Sequence, residues 1–248
     1  MSLKSASVLV LAISGAWSYL LYQSWHMSHL PMAQMWMAPS RLTDWTTDDF
    51  TWVVGMWAVM MAAMMLPTAV PMLAAFSRYC RRDAAANEWR TLWFGSGYLA
   101  VWMIFSIALT LLQGLFHGWA WLSPMMDNRQ PLLAAGIFLI AGAYQFTSLK
   151  QSCLHHCRTP FGYLLNHWRP GNSGALQIGF KHGLSCLGCC WAQMLIMFAV
   201  GVMNLAAMLL ITLWVTIEKW APIEAKKLSY GSGFLFLSWG LYSLSTAI

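Results

Sequence analysis

The stretch KHGLSCLGCCWAQM at positions 181–194 sets one histidine and three cysteines at the head of a long apolar run. Cys186 follows His182 by four residues, and Cys189 and Cys190 follow Cys186 by three and four. On a helix these side chains stack along one face. Thiolates beside an imidazole suit Cu(I), Zn(II) or an iron–sulfur centre. Cysteine is also a small hydrophobe at home in a core, but three of them in five residues next to a histidine favour a ligand or redox role. Cys186 and Cys189 are the expected primary pair, with His182 as third ligand and Cys190 flanking.

A second cluster, KQSCLHHCRTP at 150–160, puts Cys153, His156 and Cys157 on one helical face and turns His155 away. Five of the chain's six cysteines fall in these two clusters. With His156 and His182 they exceed the four ligands of one tetrahedral site, so either two sites adjoin or some thiols only support the others. The alternative for this cluster is a solvated helix end.

Two further stretches offer soft donors. In MWAVMMAAMMLPTAVPM at 56–72, Met56, Met60 and Met64 follow one i, i+4 line, and Met61 and Met65 follow another. Thioethers are neutral ligands that select Cu(I), and several at successive depths could pass the ion through lipid without burying a fixed charge; they are equally good packing material. Pro67 and Pro71 free carbonyls one turn earlier, which is tolerable only where protein or a cavity satisfies them. In HMSHLPMAQMWM at 26–37, His26 and His29 stand among Met27, Met32, Met35 and Met37, a mix suited to capturing or releasing copper, or else an interfacial segment rich in Trp and Met. Asp48 and Asp49 suit the start of the helix that follows. His117 reads as an interfacial histidine, Gln145 as an interhelical hydrogen bond, and Glu218 with Lys219 as snorkelling topology markers.

The elements that must hold these residues follow from composition. Hydrophobic residues make up 59% of the 248 and charged residues 9%, where a soluble domain carries about a quarter charged. Such a chain cannot cover a surface facing water. The expected fold is all-α, one compact polytopic transmembrane bundle with short loops over 1–248, of about seven spans: 6–22, 50–77, 92–116, 132–149, 183–200, 202–217 and 230–244. The run from Ala6 is read as a retained span because no small-residue cleavage site closes it. Residues 183–217 are too long for one span and should fold back near Gly201–Asn204. With seven spans and a cytoplasmic N-terminus, Arg41 and Arg129 alone of the fourteen Lys and Arg lie outside, as the positive-inside rule asks. The net charge of +6 then reports loop placement and gives no case for nucleic acid.

The pairing of MWxxMMxAMMLP with HGLxCLGCCW resembles an uncharacterised bacterial family of predicted metal-binding integral membrane proteins. The likeness runs from about Asp44 to about Lys219 and rests on Asp49, Met56, Met60, Met61, Met64, Met65, Pro67, His182, Gly183, Cys186, Gly188, Cys189, Cys190, Trp191, Met203 and Asn204. It implies a multi-pass protein of the bacterial inner membrane that binds a transition metal.

Three functions remain open. The first is binding and transport or delivery of a transition metal, Cu(I) before Zn(II), with the ion or a metallochaperone as partner. The second is an enzyme, a thiol-disulfide oxidoreductase exchanging electrons with quinone through the CxxC pair Cys186–Cys189. The third is a non-catalytic subunit holding a metal or cofactor for another membrane-protein subunit.

Overall fold

The computed structural model describes residues 3–29, 45–80, 89–123 and 126–247. Among them every regular element is a helix, apart from one bridge pairing Leu122 with Asn128. The helices are α1 (Leu3–His29), α2 (Thr47–Cys80), α3 (Arg90–Gly118), α4 (Pro131–Tyr144), α5 (Ser148–Arg158), α6 (Pro160–His167), α7 (Gly171–Val200), α8 (Leu205–Trp220) and α9 (Ala225–Ala247). Met32, Met35, Met37, Arg41 and Asp44 lie outside the described residues.

Helices α1, α2, α3 and α7 are each long and apolar enough to cross a bilayer, and α4 with α5 would make a fifth span bent by 67°. The expected seven spans do not all meet that standard. Helix α8 has only 16 residues, and α9 is long but interrupted by serines at 229, 232, 238 and 243. The outward faces are apolar nonetheless, with Val10, Leu11, Leu210, Phe234 and Tyr242 more than half exposed, a surface that water would penalise.

Two expected boundaries have clear local causes. Thr46 and Asp49 cap α2 reciprocally: the Asp49 carboxylate accepts from the Thr46 N–H at 2.9 Å and hydroxyl at 2.7 Å, and that hydroxyl accepts from the Asp49 N–H at 3.2 Å. The chain folds back where predicted. Gly201 takes φ +99°, a conformation side chains avoid, and Asn204 then caps α8 by accepting from the Ala207 N–H at 3.1 Å.

Other boundaries moved. Helix α7 begins at Gly171, not Gly183, so the cysteine motif lies in mid-helix and not at its head. Residues 132–149 are not one straight span. The helix turns at Gln145–Thr147, where the Thr147 hydroxyl caps α5 by accepting from the Lys150 N–H at 3.3 Å. His26 and His29 belong to the last turns of α1 rather than to a loop.

At the centre, α2 buries Trp57, Met60, Met61, Met64 and Met65 completely. Pro67 cannot donate to the Ala63 carbonyl, and the indole N–H of Trp17 on α1 donates to it instead at 3.0 Å. Tyr98 of α3 donates to the Met65 carbonyl at 3.1 Å and Trp220 of α8 to that of Thr68 at 3.2 Å. The proline-containing turn is thus served by side chains of three neighbouring helices, which is the condition for tolerating it. Helices α3 and α7 pack closest, because a Cβ at Gly97 would strike the Leu176 backbone and one at Gly179 the Phe94 backbone.

Candidate thiol site

Mid-helix placement puts Cys186 of α7 at the meeting of α2, α3, α5 and α8, with 1% of its surface exposed. The Tyr98 hydroxyl lies 3.1 Å from its sulfur, and the Lys219 ammonium donates to that sulfur at 3.0 Å and to the Thr68 hydroxyl at 3.1 Å. The thiols of Cys189 and Cys190 both donate to the Cys186 carbonyl at 3.0 Å. Cys190 also approaches the Met65 sulfur at 3.9 Å. From α5, Cys157 lies beside Cys186 and Cys189. Cys153 packs on Gly188, where a Cβ would stand 2.7 Å from its sulfur. Glycine at 188 is what lets α5 bring its thiols onto α7. Tyr144 closes the same side by donating to the Gly188 carbonyl.

The two cysteine clusters therefore do meet, α5 against α7, with Cys186, Cys189 and Cys190 buried and Cys153 and Cys157 half-buried. None of the six cysteines forms a disulfide, and Cys80 is the one outside the two clusters. Among the described residues, no three His, Cys, Asp or Glu side chains stand in the geometry of a chelated metal ion. The donors are occupied with one another, with Lys219 and with Tyr98. What the arrangement offers is a group of soft donors, buried on the α7 side, around the Lys219 ammonium.

The other sequence candidates distribute as follows. Met60 and Met64 are fully buried in α2, but the thioether that reaches a cysteine is Met65, from the other line. His182 is 2% exposed, its ring 6.0 Å from that of Phe94, 5.8 Å from Tyr98 and 5.7 Å from Tyr163, and its Nδ1 has no hydrogen-bond partner. His156 is half-buried and donates through Nδ1 to the Ser152 carbonyl at 2.9 Å. His26 and His29 lie on α1 with their rings against Tyr22 and Trp25 of the same helix.

Glu218 and Lys219 do not snorkel. They are 1% and 7% exposed and face different neighbours. Lys150 of α5, fully buried, donates to both Glu218 oxygens at 3.0 Å, Gln193 of α7 donates at 3.1 Å and Ser232 of α9 at 3.4 Å. Arg158 caps the end of α8, donating to the carbonyls of Glu218, Ala221 and Ile223. Lys219 is the residue sequence reasoning missed. A signal was present, since Met208, Thr212, Val215 and Lys219 follow one helical stripe and all four are buried. Gln145 is also not the expected hydrogen bond: it is fully buried and neither side-chain polar atom has a partner. His117 is buried at 1% rather than interfacial, with Nδ1 donating to the Gln113 carbonyl at 3.0 Å.

A family model described as PpoB2, copper chaperone, matches residues 54–243. The match takes in α2 from its second turn, all of α3 to α8 and most of α9, and so every cysteine of both clusters. No curated protein and no solved structure matches the chain.

Proposed function

Because the chain belongs to the PpoB2 copper chaperone family, we propose that it is a multi-pass protein of the bacterial inner membrane that binds Cu(I) at the buried thiols and carries or delivers it. The seven-span topology with a cytoplasmic N-terminus belongs to this reading, as does the lipid bilayer around the apolar faces. Copper is the cargo. Cys186 and Cys189 are its primary ligands, with Cys157 and Cys190 close enough to replace one of them and Met65 the nearest thioether. Met60 and Met64 are the depths through which the ion passes from one side, and His26 and His29 stand at the far end of α1.

The observation that carries the reading is the contact between Lys219 and Cys186. A Cu(I) ion held by two thiolates has one net negative charge, and burying that charge away from water is costly unless it is paired. One ammonium against one of the two sulfurs neutralises the complex. Soft sulfur donors select Cu(I) over harder ions, and the buried lysine suits a monovalent ion better: Zn(II) on the same two thiolates would be neutral already, and the lysine would leave it with excess positive charge.

Protein purified without chelators should carry copper in near-integral ratio, with X-ray absorption reporting sulfur neighbours at low coordination. Cys186→Ser and Cys189→Ser should each remove it, and Lys219→Met should weaken retention at least tenfold while leaving all six thiols titratable. Full copper in the Cys186→Ser/Cys189→Ser double variant would overturn the assignment. Thiols that titrate with redox poise in a metal-free protein would instead support the oxidoreductase reading.

A further inference from the structure

Three of the chain's seven histidines, on α5, α6 and α7, gather at one end of the thiol site around the ring of Tyr163, and a fourth adjoins them. His167 stacks on that ring at 4.5 Å, and His156 and His182 meet it edge-on at 5.9 and 5.7 Å. His155 lies against His156 at 6.2 Å. Exposure rises along the series, from buried His182 through half-buried His156 and His167 to exposed His155. The cysteines lie directly behind. Cys186 is one turn from His182 on α7 and Cys157 is next to His156 on α5.

The tautomers of the two half-buried rings are fixed by their partners. His156 and His167 direct Nδ1 at the carbonyls of Ser152 and Tyr163, at 2.9 and 3.0 Å. A carbonyl only accepts, so Nδ1 holds the proton and Nε2 keeps its lone pair. That is the arrangement in which imidazole binds a metal. His182, whose Nδ1 is buried without a partner, is a polar group aimed into an otherwise aromatic enclosure. Tyr163, 4% exposed, fills the space between the inner and outer histidines.

We propose, resting on the copper reading above, that His182, His156 and His167 around Tyr163 are the port through which Cu(I) passes between the buried thiols and the aqueous side, with Tyr163 as the plug. The ion moves by exchange of one ligand for the next and no electron is transferred. Each imidazole is a weaker site than the thiols, so copper rests on sulfur and crosses the histidines only in transit. His167 has no place in the thiol site and acquires its role here.

The test is the rate at which a hydrophilic, membrane-impermeant Cu(I) chelator strips copper from the loaded full-length protein in detergent. Tyr163→Ala should speed removal at least tenfold, and Tyr163→Phe, which keeps the ring, should leave it unchanged. His156→Phe/His167→Phe should slow removal at least tenfold while the copper ratio and the copper–sulfur absorption stay as in the wild type. Should Tyr163→Ala fail to fold, the double histidine variant still decides. Wild-type rates in these variants, at wild-type copper content, would overturn the port and leave the thiol site standing. A wild-type protein that holds no copper would overturn both.

Discussion

Replacing Glu218 by glutamine keeps the shape of a side chain that Lys150 grips through both oxygens at 3.0 Å and removes its charge. The ion pair has 0% of the lysine and 2% of the glutamate side chain exposed, so the ammonium left behind can reach neither water nor another carboxylate among the described residues. Removing one partner of a buried pair costs about 3–5 kcal/mol. The protein supplies its own control: Lys227 and Glu224 pair at the same 3.0 Å, but with 77% and 68% of their side chains exposed, where a pair contributes about 0–1 kcal/mol. Distance is equal, and burial decides. Unfolding in detergent, followed through the sixteen tryptophans, should show Glu218→Gln and Lys150→Met each destabilised by about 3 kcal/mol or more, and the Lys150→Met/Glu218→Leu double variant by about 1 kcal/mol or less, since a buried pair exchanged for apolar groups is often neutral. Glu224→Gln should stay within about 0.5 kcal/mol of wild type. Additive effects of the two buried substitutions would refute the argument, because they would mean that water reaches the pair.

Trp17→Phe removes the donor to the Ala63 carbonyl and should cost about 1–3 kcal/mol; in a Pro67→Ala background, where residue 67 regains an N–H for that carbonyl, most of the loss should disappear. Gly188→Ala puts a methyl 2.7 Å from the Cys153 sulfur and should destabilise by about 1–3 kcal/mol, with Cys153 becoming faster to alkylate; an unchanged alkylation rate would mean α5 does not pack there. Reporter fusions after Asn128, after Arg169 and at the C-terminus should report outside, inside and outside, and a cytoplasmic C-terminus would break the seven-span topology.

Much of the architecture was legible because its causes are local. Composition forced helices, Asp48 and Asp49 marked the entry to α2, and Gly201 with Asn204 marked the fold-back. The mid-helix position of the cysteine motif was obscured by Gln177 and Lys181, polar residues that look like a loop although they extend α7 beyond its apolar part. The bend after Tyr144 had no proline or charge to announce it. In the site, spacing correctly put the cysteines of each cluster on a common face, but which thioether and which cation would meet them depends on how α2 and α8 are rotated against α7. Glu218 and Lys219 already had an explanation as topology markers, and that explanation hid the buried stripe that Lys219 continues.

The last turn of α8 has a consequence for how this chain can change in length. Glu218, Lys219 and Trp220 are consecutive, yet the first reaches α5, α7 and α9, the second α2 and α7, and the third α2. Successive helical residues point about 100° apart, so the three contacts fit one rotation of the rod only. That rotation is counted from the Asn204 cap. Deleting one residue between Asn204 and Glu218 would put Lys219 in the place of Glu218, against Lys150, setting two ammonium groups together in a place without water, and inserting one would put Glu218 in the place of Lys219, against Cys186. The same change after Ile223, in the turn leading to α9, would leave the rotation of α8 untouched. Among relatives of this protein the segment 204–220 should therefore hold a constant length, and chimeras that join α7 of one to α8 of another should work only when that count is kept.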